Sequence, residues 1–180
     1  TVEKVAPPFQ LELLWDSWIT LRSWSIATSC AALFLDERTR DLLKPEAQWE
    51  TERGLKLSAM DVHRASVIRS RWFEAAAKLF DSYDVLVLPT AQVWPFPMEW
   101  TWPKEIAGMT MDTYHRWMEV VVPAGLIGLP CLAVPAGFGA AGLPIGLQLI
   151  GRRGSDVALL RMGQGWHEAA PWAHLRPEVT

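Results

Sequence analysis

The sequence predicts an α/β fold in which helices come first and part of a mixed β-sheet, flanked by helices, follows. Up to about residue 80 the apolar residues recur at helical spacing, and from residue 84 onward they form short continuous runs of strand length. A last stretch after residue 151 returns to helical spacing. Helices next to buried strands indicate a layered architecture rather than a bundle. The pattern divides the chain into a helical segment over residues 1–57 and an α/β part over residues 58–180.

The composition is that of an ordinary globular protein. Half of the 180 residues are apolar and 21% are charged, which excludes a disordered or collagen-like chain. A net charge of −3 gives no basic surface for nucleic acid. Cys30 and Cys131 are the two cysteines, so we expect no disulfide framework and a cytoplasmic location. No stretch of about 18 apolar residues is free of charge, so no membrane span is expected.

Helices account for the first half of the chain. The stretch from Phe9 to about Leu35 carries apolar residues on more than half of its circumference, and such a helix should be buried on most sides or bind a partner. A short helix is expected after Pro45. Ser58 is predicted to cap the next helix, with Asp61 three residues later, where the helix dipole favours a carboxylate. This helix should end near residue 81.

Strands are predicted over residues 84–89, 131–134 and 145–150. The first run is apolar throughout, which is typical of a strand covered on both faces. Residues 90–110, rich in proline, should be irregular in part, and residues 111–121 should form a helix that Pro123 ends or kinks. Ser155 is a candidate N-cap for the last helix.

The stretch from Gly137 to Gly142 fits the dinucleotide-binding pattern G-x-G-x-x-G and follows a predicted strand. That chemistry requires a helix to begin inside the turn, so that its N-terminus meets the pyrophosphate. Leu143 and Pro144 lead into another strand instead. We therefore interpret the motif as a connection between two strands.

No complete catalytic set is visible in this sequence. The four histidines are His63, His115, His167 and His174, and none of them has a Cys or His neighbour at metal-ligand spacing. The sequence also lacks the G-x-S-x-G nucleophile elbow. A structural or solvated role is expected for each of them. We predict no catalytic residue, no metal site and no cofactor in this chain.

Eleven tryptophans are unusual for this length. Several lie at helical spacing, where packing is the simplest role. Trp94, Trp100 and Trp102 stand among prolines, where aromatic rings could wall a pocket, cover a neighbouring chain or pack within the loop. These alternatives stay open at this point.

Four blocks between residues 83 and 151 resemble amidase signature enzymes, including the bacterial amidases related to the glutamyl-tRNA amidotransferase A subunit. The blocks follow one another in the family's order and spacing, and the resemblance covers about residues 43–170. They are Tyr83–Thr90 (YDVLVLPT), Pro123–Pro130 (PAGLIGLP), Val134–Gly137 (VPAG) and Gly142–Gly151 (GLPIGLQLIG).

The resemblance implies a hydrolase that attacks an amide carbonyl with a Ser–cis-Ser–Lys triad, without metal or cofactor. The triad lies in the family's N-terminal half, in a Gly-Ser-Ser-Gly-rich stretch that this sequence does not contain. Gly125 stands where many members carry Asn. By position, Trp94, Trp117 and Met118 are candidates for the substrate-binding site, since open α/β sheets bind ligands at strand carboxyl ends; a core-facing position is the alternative for each.

We therefore expect the C-terminal portion of an amidase that is inactive alone. Its expected partners are a small-molecule amide, the N-terminal half of the enzyme and further copies of itself. Two alternatives stay open. The chain could be a non-catalytic subunit whose partner carries the triad, or a self-associating binding module.

Overall fold

The computed structural model of the protein describes residues 1–170 together with Trp172 and Leu175. Its helices are α1 (Leu11–Leu35), α2 (Glu37–Arg40), α3 (Pro45–Leu55), α4 (Ala59–Leu79), α5 (Val122–Gly125) and α6 (Asp156–Ala169). Its strands are β1 (Leu86–Pro89), β2 (Glu105–Ile106), β3 (Met109–Thr110), β4 (Cys131–Phe138) and β5 (Pro144–Ile150). None of the described helices has the length and apolar character needed to cross a membrane.

The chain forms two compact units, Thr1–Ala76 and Ala77–Thr180. The dividing point lies inside α4, whereas the division predicted from the sequence precedes that helix. The domain division at residues 57 and 58 stays a prediction.

In the first unit, α1 packs against α3 and α4 through polar contacts as well as apolar ones. The hydroxyl of Ser17 donates to the carbonyl oxygen of Ala65 at 2.7 Å, and the Arg53 guanidinium donates to the carbonyl oxygen of Ile19 at 3.0 Å. Arg22 and Glu50 form an ion pair with an Nε–Oε1 distance of 2.6 Å. These contacts fix the rotation of α1 and bury one side of it.

The C-terminal half of α1 is only partly covered. Three of its large apolar side chains are exposed, Trp24 to 47%, Leu33 to 46% and Leu35 to 64%. The sequence predicts burial on most sides or a partner, and the first alternative is wrong for the described unit. The buried residues of α1 lie between Leu14 and Ala27, so the last two turns of the helix contribute none.

The predicted start of α4 is confirmed by a reciprocal capping box. The Asp61 N–H donates to Oγ of Ser58 at 3.2 Å. In return the Asp61 carboxylate accepts from the Ser58 N–H at 2.9 Å and from the Ser58 hydroxyl at 2.6 Å. This arrangement lowers the pKa of Asp61 to about 2, because the Ser58 hydroxyl and N–H and then Arg64 stabilise the carboxylate.

In the second unit, the three predicted strands lie in one sheet of order β1-β5-β4, as the sequence predicts. The central strand β5 is antiparallel to both neighbours. Leu86 of β1 and Cys131 of β4 both pair with Ile150, so the two outer strands begin level with each other and run in the same direction.

Helices cover both faces of this sheet. On one face Ile150 packs with Phe80 and with Ala124 of α5. On the other face Leu149 and Val134 pack against Leu159 of α6. The prediction that the first strand is covered on both faces is wrong, because α6 lies over β4 and β5 and leaves Val87 of β1 45% exposed.

The G-x-G-x-x-G stretch is a hairpin, so its interpretation as a connection between two strands is confirmed. Ala136 is an extra residue between the Pro135 and Gly137 pairings, a β-bulge. Gly137 has φ +119° and Gly142 has φ +73°, values that favour glycine. The chain then enters β5 at Pro144 without forming a helix.

The helix predicted over residues 111–121 is shorter than expected. A 3-10 helical turn covers Arg116–Val121, and α5 follows it immediately. Pro123 does not end the helix but stands in the first turn of α5. Proline suits that place because its missing N–H would have no acceptor inside the helix.

The last helix begins after Ser155, as predicted, but the serine does not cap it through its side chain. Its hydroxyl donates to the carbonyl oxygen of Arg152 at 2.7 Å. The hydroxyl therefore closes the preceding turn instead of binding the helix N–H groups.

Candidate substrate-binding site

The strand directions bring Trp94 to the β4–β5 turn. Because β1 and β4 run in the same direction, the chain leaves both at the same edge of the sheet. The six-membered ring of Trp94, which follows β1, lies over Gly139, which follows β4. A Cβ atom on Gly139 would be 3.0 Å from two carbons of that ring. The indole is 47% exposed, so it stands at this edge with one face accessible.

Trp117 and Met118 lie in the 3-10 turn rather than on a long helix. The Trp117 ring meets the ring of Phe96 edge-on, with centroids 5.4 Å apart, and Phe96 stacks on Trp100 at 6.2 Å. The Nε1 atom of Trp117 is buried and has no hydrogen-bond partner among the described residues. The N–H of Met118 donates to the carbonyl oxygen of His115 at 2.9 Å.

The three predicted residues all lie in the segment between β1 and α5, but Trp94 and Trp117 pack against different parts of the structure. Trp94 is supported by the hairpin turn, while Trp117 is supported by the proline-rich segment through Phe96. Their assignment to substrate binding stays a prediction.

Two glutamines hold the 3-10 turn against the end of β1. Gln148, at the centre of β5 and only 3% exposed, donates from Nε2 to the carbonyl oxygens of Pro89 at 2.7 Å and Val120 at 3.0 Å. Gln92 accepts the Val120 N–H on Oε1 at 3.1 Å. Both backbone polar groups of Val120 are thus bound by side-chain amides.

Cys131 completes the contacts of Gln148. Its Sγ lies 3.5 Å from Oε1 of Gln148, to which it donates. Partial burial raises the pKa of the Cys131 thiol, which keeps it protonated and suited to that donor role.

The three described histidines lie on α4, on α6 and directly before the 3-10 turn. His63 and His167 are exposed on helices, whereas His115 is 2% exposed and meets Tyr114 edge-on at 5.0 Å. His174 lies outside the described residues. Among the described residues, no three His, Cys, Asp or Glu side chains come together as metal ligands would.

The sequence prediction missed Gln148 and Gln92, although one of them carries a visible signal. Gln148 is the one polar side chain in the strand Ile145–Ile150. A glutamine inside a buried strand needs hydrogen-bond partners, so it must reach across to another element. Gln92 gives no comparable signal, since an exposed glutamine in a loop is ordinary.

Comparisons with known proteins all lead to the same protein family. A family model described as amidase matches residues 2–160. The acylamidase of Rhodococcus erythropolis is 30% identical over 143 residues, which cover 72% of this chain and 30% of that protein. The fatty acid amide hydrolase of Medicago truncatula is 32% identical over 163 residues, which cover 85% of this chain and 26% of that protein.

A solved structure of a bacterial aryl acylamidase of the amidase signature family has the same fold. It superposes with a TM-score of 0.80 at 23% identity, covering 94% of this chain and 37% of that one. The chain belongs to the amidase family, and the resemblance seen in the sequence is confirmed. The chain spans less than a third of the length of the Rhodococcus and Medicago relatives.

Proposed function

We propose that this chain is the C-terminal part of an amide hydrolase whose Ser–cis-Ser–Lys triad lies outside these 180 residues. One observation carries the proposal: three of the four motif blocks contribute strands to one sheet. The chain matches 30% of the length of the Rhodococcus acylamidase. The sequence holds no Gly-Ser-Ser-Gly stretch that could supply the nucleophile.

The reaction proposed for the complete enzyme is acyl transfer to serine. The lysine-activated serine attacks the carboxamide carbon, the amine leaves with a proton, and water then hydrolyses the acyl-enzyme. This chemistry requires no metal and no cofactor. The substrate class that follows is a small-molecule carboxamide, and a cytoplasmic location is part of the proposal because two cysteines suit a reducing compartment.

This chain would supply an apolar surface that contacts the group attached to the amide. Trp94 presents an accessible indole at the sheet edge, and Trp117 with Phe96 forms an aromatic surface in the following segment. Aromatic side chains provide large apolar contact area at low conformational cost. We assign Trp94, Trp117 and Met118 to substrate binding on these grounds.

Reconstitution tests the proposal. The purified 180-residue chain is assayed with a chromogenic anilide, alone and after co-expression with a polypeptide that carries the family's Lys and Gly-Ser-Ser-Gly region. We expect no hydrolysis by the chain alone and hydrolysis by the pair. The matched control replaces the nucleophilic serine of the added polypeptide by alanine, which should abolish the activity. Hydrolysis by the chain alone would overturn the proposal.

Self-association is the second candidate function, and the exposed apolar side chains in the C-terminal half of α1 favour it. Trp24, Leu33 and Leu35 are all exposed, and exposed apolar side chains can serve as interaction sites. Light scattering over a concentration series distinguishes the outcomes. Growth in mass that Trp24→Ser reduces supports self-association, whereas a constant monomer mass excludes it.

A further inference from the structure

Val120 in the 3-10 turn Arg116–Val121 is held by side chains through both of its backbone polar groups. At Val120 the carbonyl oxygen accepts from Gln148 and the N–H donates to Gln92. Gln148 also binds the carbonyl oxygen of Pro89, the last residue of β1. One side chain of the central strand therefore joins the end of an outer strand to the turn.

The orientation of Gln148 is itself fixed. Its Nε2 has two protons, and each has a carbonyl acceptor at 3.0 Å or less. Its Oε1 lies within reach of the Cys131 thiol. An amide with both ends occupied and 3% exposure cannot rotate without leaving buried polar groups unsatisfied.

This arrangement matters for the predicted site because Trp117 and Met118 stand three and two residues before Val120. A turn held at its last residues keeps its preceding side chains at a fixed distance from the sheet edge. If Trp117 and Met118 were displaced by about one ångström, their contacts with the substrate would contribute much less to binding.

We propose that Gln148 is a positioning residue for substrate binding: it fixes the turn that carries Trp117 and Met118, with Gln92 as its second attachment. This inference rests on the proposed function. Neither glutamine is assigned contact with the reacting atoms.

Hydrogen exchange gives a test that does not depend on activity. In the 180-residue chain, Gln148→Met removes both donors while keeping the side-chain volume close. We expect the Val120 amide, which Gln92 binds, to exchange at least about tenfold faster, a ratio that corresponds to about 1.4 kcal/mol. The matched control is Gln164→Met, which removes the hydrogen bond of an exposed glutamine to Glu168 on α6 and should leave this amide unchanged. Unchanged exchange in a folded Gln148→Met overturns the inference.

Gln92 supplies a second pair of variants should Gln148→Met fail to fold. Gln92→Leu removes the acceptor for the Val120 N–H, whereas Gln92→Glu keeps it. We expect faster exchange over residues 116–121 in the leucine variant and near-normal exchange in the glutamate variant. Equal exchange in the two variants would also count against the inference.

The kinetic arm uses the reconstituted enzyme. Gln148→Met should raise KM for the amide at least about tenfold with a much smaller change in kcat, the pattern of lost uniform binding. A fall in kcat at constant KM overturns the positioning role. If the reconstituted enzyme hydrolyses no amide at all, the proposed function fails while the exchange experiment still decides whether Gln148 holds the turn.

Discussion

Gly54 of α3 lies directly against the main chain of α1 at Ser23. A Cβ atom at position 54 would overlap the Ser23 carbonyl oxygen and would lie 2.6 Å from the Cβ atom of Ala27. Backbone and Cβ atoms cannot rotate away as a flexible side chain can. The close packing of α1 on α3 therefore depends on this glycine having no side chain.

Gly54→Ala should destabilise the chain although alanine is the better helix former. Overpacking costs up to about 3 kcal/mol and the better helix propensity of alanine returns about 1 kcal/mol, so we expect the free energy of unfolding to fall by up to about 2 kcal/mol. Urea denaturation followed by circular dichroism measures it. Gly165→Ala on α6 is the matched control, because no described residue outside its own stretch of helix comes within 4 Å of its Cβ position, and it should stabilise. Equal stabilisation by both substitutions would contradict the prediction.

Gly163 and Leu132 should be energetically coupled. A Cβ atom at Gly163 of α6 would collide with Cδ2 of Leu132 on β4, and only side-chain atoms of Leu132 lie within 4 Å of it. Gly163→Ala alone should therefore destabilise, and shortening Leu132 to alanine in the same chain should relieve part of that cost. A double-mutant cycle should give a coupling energy of about 1 kcal/mol or more. Additivity within about 0.5 kcal/mol would show that the contact is absent.

The capping box of α4 should give a pH-dependent term in stability. The pKa of Asp61 is lowered to about 2 in the folded chain, against about 3.9 for a free aspartate. A lowered folded-state pKa means that the contribution is complete above about pH 4 and is lost as the pH falls toward 2. The difference in thermal midpoint between wild type and Asp61→Asn should therefore shrink over that range. A difference that stays constant from pH 5 to pH 2 would refute the assignment.

The predicted substrate residues should affect KM in the reconstituted enzyme. Trp94→Ala, Trp117→Ala and Met118→Ala each remove apolar contact area, and we expect KM for a bulky amide to rise several-fold. Trp24→Ala is the control, because this indole on α1 has the same 47% exposure as Trp94 but is not assigned to the site. A rise in KM with Trp24→Ala, or none with the other three, would remove the assignment.

Much of the fold could be predicted from local signals. The strands around residues 86, 131 and 144 and the Ser58–Asp61 cap follow from apolar runs and capping chemistry, and the structure has them. The hairpin interpretation of residues 137–142 also holds, because a run of strand type, residues 145–150, follows the turn directly.

The remaining features depend on contacts that are distant in sequence. Exposure of Val87 follows from where α6 lies, and no pattern inside β1 could show that. The Ser155 hydroxyl could either cap the N–H groups of α6 or donate to the carbonyl oxygen of Arg152, and in the structure it does the second. The attachment of Val120 joins residues 92, 120 and 148, which become neighbours only once β1, β5 and the 3-10 turn have assembled.

The extra residue at Ala136 interrupts the regular alternation by which successive side chains of β4 point to opposite faces of the sheet. Ahead of it, even-numbered positions such as Leu132 and Val134 face α6, whereas Phe138, which pairs with Pro144, belongs to the other face. Gly137 and Phe138 pair with Ile145 and Pro144 beyond the bulge, so deleting Ala136 would leave the hairpin end on the same faces and remove only the local bend. A one-residue deletion should therefore be tolerated best at this position of β4, because elsewhere in the strand it would move side chains to the opposite face.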